Sequence, residues 1–521
     1  MGAMSADQTS QQPDGTRQPL ESRGSNRSQR PTSAAFLEFV TSGWGDRPTS
    51  SVRPGPAAGF TAARRDRLSA LFPGERLVVP AGTFRVRSND TDYRFRPHSA
   101  FAHLTGLGAE HEPDAVLVLH PRPEDDDRIG SDGRSGGHDA VLYLRPLAGR
   151  DTEEFFADSR YGEFWVGARP TLEDVSIDTG IATAHLDELR DALSKDAGPD
   201  GVQVLVVPGA DDAVEALVEE IRAGHQAGER DERLAEALSE LRLLKDAYEV
   251  EQMRAAVAAT AAGFDKVLRN LPRAVAHRRG ERVIEGTFDA HAREEGNAVG
   301  YDTIAAAGEH ATTLHWTDND GVVRPGELVL VDAGVEVDSL YTADITRTIP
   351  VDGAFTEVQR RIYQAVLDAA DAAFAVAVPG ARFRDVHAAA MEVIAARLAE
   401  WGLLPVTAEE SLSPDGQQHR RWMVHGTSHH LGLDVHDCAQ ARREMYLDAT
   451  IEPSMVFTIE PGLYFKSDDL RVPPEYRGIG VRIEDDVLVT VNGNENLSAA
   501  LPRRPEDVEA WMARLSDPPV S

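Results

Sequence analysis

The sequence predicts two domains that mix helices and strands, a smaller N-terminal α/β domain and a larger C-terminal α+β domain. A length of 521 residues allows two or three domains with large cores. Short apolar runs of strand length alternate with helical patterns in both halves of the chain. The charged stretch 223–256 separates the halves, so we expect residues 34–230 to form the first domain and 231–521 the second.

The N-terminal segments differ from one another in composition. Residues 1–33 are rich in Gln, Ser, Arg, Gly and Pro and nearly free of large apolar groups, so we expect a flexible tail. Residues 34–60 alternate short apolar patches with Gly and Pro, and we expect them to wrap a neighbouring surface. From about residue 61, the predicted elements are an amphipathic helix at 64–72, strands at 76–80, 115–120, 140–144 and 202–207, a solvated acidic loop at 121–139 and a helix at 211–224.

The second domain is predicted to open with a long helix, because the charged stretch becomes helical near residue 231. The segment from Thr356 to Gln359 resembles a capping box, which predicts the start of another long helix that ends before Pro379. A further helix is expected at 383–401. Its predicted stop is the glycine that follows, at position 402.

Charge and composition exclude several classes of partner. The chain has 86 acidic and 54 basic residues and a net charge of −32, whereas nucleic acids and anionic membranes require clustered positive charge. We interpret the acidity as a source of solubility, with a weak attraction for cationic peptide N-termini as a further consequence. No apolar run approaches the ~20 residues of a membrane helix, and no signal-peptide core is found. Cys438 is the single cysteine, which excludes an internal disulfide and favours the reducing cytoplasm.

Five residues in separate motifs form a candidate ligand set for two divalent metal ions. They are Asp332, Asp344, His429, Glu460 and Glu484. Carboxylate oxygens with one imidazole suit Mn, Co, Zn or Fe. The four carboxylates carry a charge that two dications cancel, whereas two bare carboxylates about 4 Å apart repel by roughly 4 kcal/mol at an effective dielectric constant of about 20. The set therefore predicts a dinuclear metallohydrolase.

These acidic residues also have purely structural interpretations. A single aspartate in a turn is usually a cap, although two buried aspartates beside apolar runs are costly unless they are paired. Glu484 is followed by Asp485 and Asp486, and the three residues read equally well as a solvated acidic patch. The preceding Gly-Val-Arg-Ile instead favours an alternation that places Arg482 and Glu484 on one inward face. An arginine there would balance carboxylate charge or hold a substrate carboxylate or carbonyl.

Histidines are concentrated in one stretch of the second domain. His425, His429, His430 and His436 lie within twelve positions and among small residues. Any one of them alone is more often a structural histidine, but the cluster favours ligands, acid–base groups or oxyanion donors. His315 is a further candidate, because it lies seventeen positions before the first aspartate of the set.

Taken together, these motifs resemble the aminopeptidase P (Xaa-Pro aminopeptidase) family of pita-bread metallopeptidases. They are also similar to prolidase and, more distantly, to methionine aminopeptidase and creatinase. The resemblance runs through about residues 62–510 and is dense in the C-terminal half, in LHWTDN, VDAG, DITRT, HGTSHHLGLDVHD, EPGLY and RGIGVRIEDD. In the N-terminal half it is carried by RFRPHSAFAHLTG and EPDAVLVL. The resemblance implies a pita-bread α+β catalytic domain preceded by a smaller α/β domain.

The resemblance also implies roles for the candidate ligands. Asp332 and Asp344 are expected to be carboxylate ligands, with Asp344 shared between both metals. His429 and Glu460 are expected to bind one metal, and Glu484 is expected to be the second bridging carboxylate. Glu460 is also the implied proton shuttle for a hydroxide that bridges the two metals.

Other residues match positions that act on the substrate in the family. His436 resembles the histidine that stabilises the tetrahedral intermediate. His315 and His425 match other histidines of the substrate-binding cavity, and Arg482 and Tyr464 occupy positions that support the site.

The implied reaction releases the N-terminal residue from peptides with proline at the second position, with Mn²⁺ as the first choice of metal and Co²⁺ or Zn²⁺ as alternatives. The family implies a homodimer or homotetramer. Prolidase activity on Xaa-Pro dipeptides remains the nearest alternative. A metal-free hydrolase of creatinase type and a non-enzymatic binding scaffold are more distant ones, because all five candidate ligands are present.

Two departures from the family pattern bear on the site. Asp332 and Asp344 are twelve positions apart where bacterial relatives often show eleven, and we expect a turn or bulge to absorb the extra residue. His430 stands where relatives often carry an aromatic or other bulky residue, which leaves the shape of the substrate subsite open.

Overall fold

The computed structural model describes residues 33–47, 51–111, 113–123, 137–198, 201–223 and 228–516. The predicted flexible tail up to residue 32 and most of the predicted acidic loop, at 124–136, lie outside these ranges. No helix among the described residues is long and apolar enough to cross a membrane.

The described elements alternate between helices and strands along the whole chain. The helices are α1 (Ala34–Thr41), α2 (Ala58–Leu71), α3 (Ser99–Thr105), α4 (Glu153–Ala157), α5 (Glu163–Val166), α6 (Leu172–Thr179), α7 (Leu189–Ser194), α8 (Asp212–Arg222), α9 (Gly228–Leu241), α10 (Ala247–Val275), α11 (Gly280–Glu295), α12 (Glu357–Val376), α13 (Phe383–Glu400), α14 (Ala408–Leu412) and α15 (Pro505–Ser516). The strands are β1 (Arg76–Pro80), β2 (Val86–Ser88), β3 (Thr91–Asp92), β4 (Val116–Pro121), β5 (His138–Leu144), β6 (Ala182–His185), β7 (Val204–Val206), β8 (Ala298–Val299), β9 (Ile304–Ala307), β10 (Leu328–Ala333), β11 (Val335–Glu336), β12 (Ile345–Pro350), β13 (Val456–Ile459), β14 (Gly462–Phe465), β15 (Ile479–Arg482), β16 (Asp485–Thr490) and β17 (Gly493–Asn496).

The chain divides into two compact units. The smaller unit contains α1, the β2–β3 hairpin, α4 and α5, and aromatic side chains pack within it, as where Trp44 meets Phe155 edge to face at 5.4 Å. The larger unit contains the remaining elements. This division by compactness does not follow the predicted boundary near residue 230, which stays a prediction.

Within the larger unit, the N-terminal segments form a mixed five-stranded sheet in the order β6-β5-β4-β1-β7. Strand β1 pairs antiparallel with β4 and parallel with β7. Val78 and Val206 pack on one face against Leu193 of α7 and Val218 of α8, all of them buried. The sheet therefore has an apolar core of its own, as expected for strands that read as continuous apolar runs.

The C-terminal segments form short antiparallel sheets around β10. Strand β10 pairs with both β9 and β12, which places Asp332 opposite Ile304 on one side and Thr346 on the other. Strand β13 pairs with β16, and β14 pairs with β15 so that Gly462 lies opposite Arg482. These pairings bring the ends of several strands to one place.

Most of the predicted elements are found, and the exceptions have physical reasons. Strand β1 covers the predicted 76–80, Thr356 and Gln359 form the predicted capping box of α12, and α13 ends before Gly402 with its φ of +71°. Helix α1 was not predicted, because none of its residues is buried and its sequence therefore shows no inward stripe. The predicted opening helix of the second domain is two helices, α9 and α10, since Asp246 caps a new start with Glu249.

The junction between α9 and α10 is anchored to the loop that follows His436. Arg242 donates from Nε to Asp437 Oδ1 at 2.8 Å, and Lys245 donates from Nζ to Asp437 Oδ2 at 3.1 Å. All three side chains are buried. Two cations around one carboxylate offset the desolvation that a lone buried charge would suffer.

His430 lies in an aromatic cluster and does not line the cavity described below. Its ring stacks on Phe383 at 4.8 Å and meets Tyr446 and Phe457 edge to face. The side chain is fully buried and neither ring nitrogen has a hydrogen-bond partner among the described residues. Burial lowers the pKa of His430 to about 3, so the ring is neutral and packs as an aromatic side chain. This answers the question that the sequence left open, because the residue shapes the core and not the subsite.

We expect His430→Phe to raise the free energy of unfolding by about 1 kcal/mol, because phenylalanine keeps the stacking and removes buried nitrogens whose lack of partners costs about 1–3 kcal/mol. The midpoint of urea unfolding measures the change. His430→Ala, the matched control, leaves a cavity and should lower the free energy of unfolding by about 3 kcal/mol. A phenylalanine variant as unstable as the alanine variant would contradict the packing described.

Candidate active site

The candidate ligands and catalytic residues from the sequence all line one cavity of about 630 Å³. This cavity lies within the larger unit. The nine residues are His315, Asp332, Asp344, His425, His429, His436, Glu460, Arg482 and Glu484. The convergence follows from the strand pairings, because five of these residues lie at or next to the ends of β10, β12, β13, β15 and β16.

Asp332 and Asp344 are brought together by the antiparallel pairing of β10 and β12. Asp332 lies within β10, and Asp344 directly precedes β12. The hydroxyl of Tyr301 lies 2.6 Å from Asp332 Oδ1 and 2.5 Å from Asp344 Oδ1. The chain between the two aspartates turns at Leu340, which has a φ of +71°, so both carboxylates reach one site despite the twelve-residue spacing.

Glu484 is held by a short chain of polar contacts. Thr346 donates from its hydroxyl to Glu484 Oε2 at 2.7 Å and accepts from Arg482 Nε at 3.0 Å. Arg482 also pairs through Nη2 with Asp332. The arginine therefore contacts Asp332 directly and Glu484 through Thr346, and it supplies a positive charge on the inward face that was expected for Arg482 and Glu484.

The interpretation of positions 484–486 as a solvated acidic patch is wrong. Glu484, Asp485 and Asp486 are all buried. Asp485 pairs with the fully buried guanidinium of Arg347 at 2.7 Å, and Asp486 accepts from the backbone N–H of Asp344 at 3.2 Å. Each acid therefore has a partner inside the protein, and only the first of the three lines the cavity.

The histidines surround the carboxylates from one loop. His429 Nε2 lies 3.3 Å from Asp344 Oδ2 and 3.7 Å from Glu460 Oε1. The ring of His436 meets that of His429 edge to face, with centroids 4.5 Å apart. His425 is fixed at both nitrogens, by the carbonyl of Gly426 at 2.6 Å and by the hydroxyl of Tyr464 at 2.8 Å.

Burial and mutual repulsion shift the pKa values of these groups strongly. Burial raises the pKa of Glu460 to about 7 and that of Glu484 well above its ordinary value. Burial alone would lower the pKa of His429, but the hydrogen bond with Asp344 raises the pKa of His429 to about 9. Burial alone would raise the pKa of Asp344, but the same hydrogen bond holds it below its ordinary value. Burial and the charge of Arg482 lower the pKa of His425 to about 3.

This set of donor atoms fits divalent metal ions. Asp344, His429 and Glu484 each offer a ligand atom, and these atoms lie within 4.8 Å of one another. Asp332 and Glu460 adjoin the group through Tyr301 and His429. Oxygen donors with one imidazole are the chemistry that Mn²⁺, Co²⁺ and Zn²⁺ accept. Buried carboxylates with raised pKa values indicate that the protein alone does not balance their charge.

Sequence reasoning missed Tyr301 and Thr346. A single tyrosine or threonine carries no motif. Thr346 acquires its role through the register of β12, whereas Tyr301 reaches the carboxylates of Asp332 and Asp344 from the segment before β9. The signal that points to Thr346 is its position two residues after Asp344, since side chains two apart on a strand share a face. No comparable local signal marks the tyrosine, which precedes β9.

Family models match both parts of the chain. The model described as metallopeptidase family M24 matches residues 251–491, which contain all nine cavity residues listed above. The model described as the aminopeptidase P N-terminal domain matches residues 61–205.

Curated relatives and solved structures agree with these matches. The chain is similar to Xaa-Pro aminopeptidase 1 of Streptomyces coelicolor, with 49% identity over 504 residues that cover 96% of each chain. It is also similar to the Xaa-Pro aminopeptidase of Escherichia coli, with 33% identity over 467 residues that cover 87% of this chain and 97% of the relative. The solved structure of zinc-substituted E. coli aminopeptidase P in complex with product matches with a TM-score of 0.75 and 30% identity, and the match covers 89% of this chain and 100% of that chain.

These similarities confirm the resemblance that the motifs carried, together with the predicted pita-bread catalytic domain and its separate N-terminal domain. Divalent metal ions are the cofactors that the metallopeptidase family implies. The chain belongs to the aminopeptidase P family of M24 metallopeptidases and is a metallo-exopeptidase.

Proposed function

We propose that this chain releases the N-terminal residue from peptides whose second residue is proline. The observation that carries the proposal is the convergence of the five candidate ligands on one buried cavity. Relatives named Xaa-Pro aminopeptidase, one of them 49% identical across nearly the whole chain, support the choice of substrate. A peptide bond before proline has no N–H on the proline side, which makes it a distinct chemical target.

We further propose that two divalent metal ions act in the reaction, with Mn²⁺ as the first choice. Asp332, Asp344, His429, Glu460 and Glu484 would hold them, with Asp344 and Glu484 shared between the two. When bound, such ions would lower the pKa of a coordinated water, which would supply hydroxide at neutral pH, and would polarise the scissile carbonyl.

The protein's own residues would then move the protons. Glu460 lines the cavity with Oε1 3.7 Å from His429 Nε2, so its carboxylate is placed to take a proton from the attacking water and to return it to the proline nitrogen that leaves. That nitrogen needs a proton because it would otherwise have to leave as a strongly basic amide anion. The proposed shuttle therefore couples attack to departure of the shortened peptide.

The histidines would stabilise charge and hold position. Burial lowers the pKa of His436, so its neutral ring can donate a hydrogen bond to the oxygen that becomes negative in the transition state. His425 has both nitrogens engaged by Gly426 and Tyr464, which suits it to fix the cavity wall and not to transfer a proton. His315 lines the same cavity and is proposed to contact the substrate.

We also propose a homodimer or homotetramer that works in the cytoplasm. The assembly is inferred from the family resemblance. The compartment is supported by Cys438, the single cysteine of the chain, which is buried and unpaired.

Peptide length separates this proposal from prolidase. We expect kcat/KM for the tripeptide Leu-Pro-Gly to exceed that for the dipeptide Leu-Pro by about tenfold, because the third residue adds contacts and about 1.4 kcal/mol corresponds to that factor. Initial rates with both peptides under the same metal loading measure the ratio. Cleavage of the dipeptide with neglect of the tripeptide would favour prolidase instead.

Metal removal should abolish activity, and Mn²⁺ should restore it, because the carboxylate cluster alone provides no nucleophile. We expect Glu484→Gln to lower metal content and to lower kcat about a hundredfold, since it removes a proposed shared ligand. Glu309→Gln is the matched control, because Glu309 is exposed and lines a different cavity. Elemental analysis and rates before and after chelation measure both effects. Activity that is indifferent to chelation would favour a metal-free hydrolase of creatinase type, and no activity under any metal would favour a binding scaffold.

Metal binding should release protons and strengthen as pH rises. The metal-free cluster keeps a proton on His429, whose pKa is about 9, and a partial one on Glu460, whose pKa is about 7. Glu484 adds to this proton uptake, because burial raises its pKa well above the ordinary value. Ligands must lose these protons, so the apparent affinity for Mn²⁺ falls as pH drops through these values. Calorimetric titration with Mn²⁺ in buffers of different ionisation enthalpy counts the protons. Binding of Mn²⁺ to the Glu460→Gln variant should release fewer protons than binding to the wild-type enzyme. If the wild-type enzyme released no protons between about pH 6 and pH 8, the scheme would be refuted.

A further inference from the structure

Asp302 lies in the wall of the catalytic cavity and is not one of the proposed metal ligands. It follows Tyr301, whose hydroxyl reaches the carboxylates of Asp332 and Asp344. Its side chain is exposed, and no hydrogen bond or ion pair engages it within the described part of the chain. Of the five carboxylates that line the cavity, Asp302 alone has no role in the proposed reaction.

The surroundings do not neutralise the charge of Asp302. Among the described residues that line the cavity, Arg482 is the single Arg or Lys, and it is paired with Asp332. Glu285 and Asp289 lie near Asp302, and its charge adds to burial in raising the pKa of both. The cavity wall around Asp302 therefore carries a negative electrostatic potential, which would attract a cationic group.

Apolar side chains accompany this carboxylate. Ile304, Leu314 and Val435 line the same cavity. A surface with apolar walls and one free carboxylate matches a long side chain that has an aliphatic stem and a charged head. Arginine and lysine have that form, and neither a short cation nor an uncharged chain satisfies both parts.

We propose that Asp302 selects substrates whose first residue is arginine or lysine. The inference rests on the proposed function, because an enzyme that cleaves after the first residue must place that residue beside the metal ligands. The side chain of this residue then lies in the cavity whose wall contains Asp302. The aliphatic stem packs on the apolar wall, and the carboxylate receives the cationic head.

Arg-Pro-Pro and citrulline-Pro-Pro test the proposal, because citrulline keeps the shape of arginine and lacks its charge. We expect the wild-type enzyme to favour arginine in kcat/KM by about three- to tenfold, the range for a partly exposed ion pair. Asp302→Asn should bring the ratio near one. Asp338→Asn, the matched control, removes the same charge from the wall of a different cavity and should keep the wild-type ratio. Added salt should lower the wild-type preference.

Leu-Pro-Pro serves as the reference substrate, because it separates cleavage before proline from selection of the first residue. If it is cleaved but the arginine and citrulline peptides are equivalent, the selectivity proposal is overturned and the proposed function stands. If Asp302→Asn slows all three peptides by the same factor, the carboxylate binds the common N-terminal ammonium, and side-chain selection is again overturned. If none of the three is cleaved, the proposed function fails and the inference fails with it.

Discussion

The mutual repulsion of buried carboxylates is the constraint around which this catalytic cavity is organised. Removing charged groups from water is costly, and several like charges in one cavity add to that cost. The pairing of Arg482 with Asp332 and of His429 with Asp344 offsets part of this free-energy cost. Proton uptake by Glu460 and Glu484, whose pKa values are raised, reduces this cost further. Bound divalent cations would offset the charge that remains.

Strand pairing keeps these groups close in spite of their repulsion. Arg347 is fully buried and donates to the backbone carbonyl of Glu484 at 2.7 Å, to the carboxylate of Asp485 at 2.7 Å and to the carbonyl of Pro502 at 2.8 Å. The guanidinium thus ties β12 to β16 and to the C-terminal segment. A site built on paired strands holds its side chains more firmly than one built on loops alone.

The sequence was most informative where chemistry and local pattern coincide. Asp332 and Glu460 stand at the end of apolar runs and Asp344 stands directly before β12, and a carboxylate in such a position is unusual enough to be noticed. The even choice between a solvated patch and a ligand at Glu484 could not be made locally, because its burial depends on Arg347, which is 137 positions away.

Residues that act through long-range contacts could not be predicted from the sequence. Tyr301 contacts two aspartates 31 and 43 positions further along the chain, and nothing near it in sequence indicates either contact. Helix α1 escaped notice for a different reason, since a helix without a buried face lacks the periodic stripe that predicts helices. Short-range pattern thus predicted the candidate ligands, while the scaffold that orients them depends on tertiary pairing.

The loop that contains His436 is held by residues from far earlier in the chain. Arg96 donates from Nη2 to the carbonyl of Leu433 at 2.5 Å, Ser99 donates to Asp434 at 2.5 Å, and Arg242 reaches Asp437. A fragment that began at α10 would lack these three anchors and would bury Asp437 without either of its cations. The N-terminal region thus helps to hold a loop that lines the cavity, and chimaeras that exchange this region between relatives must carry both sides of the contact.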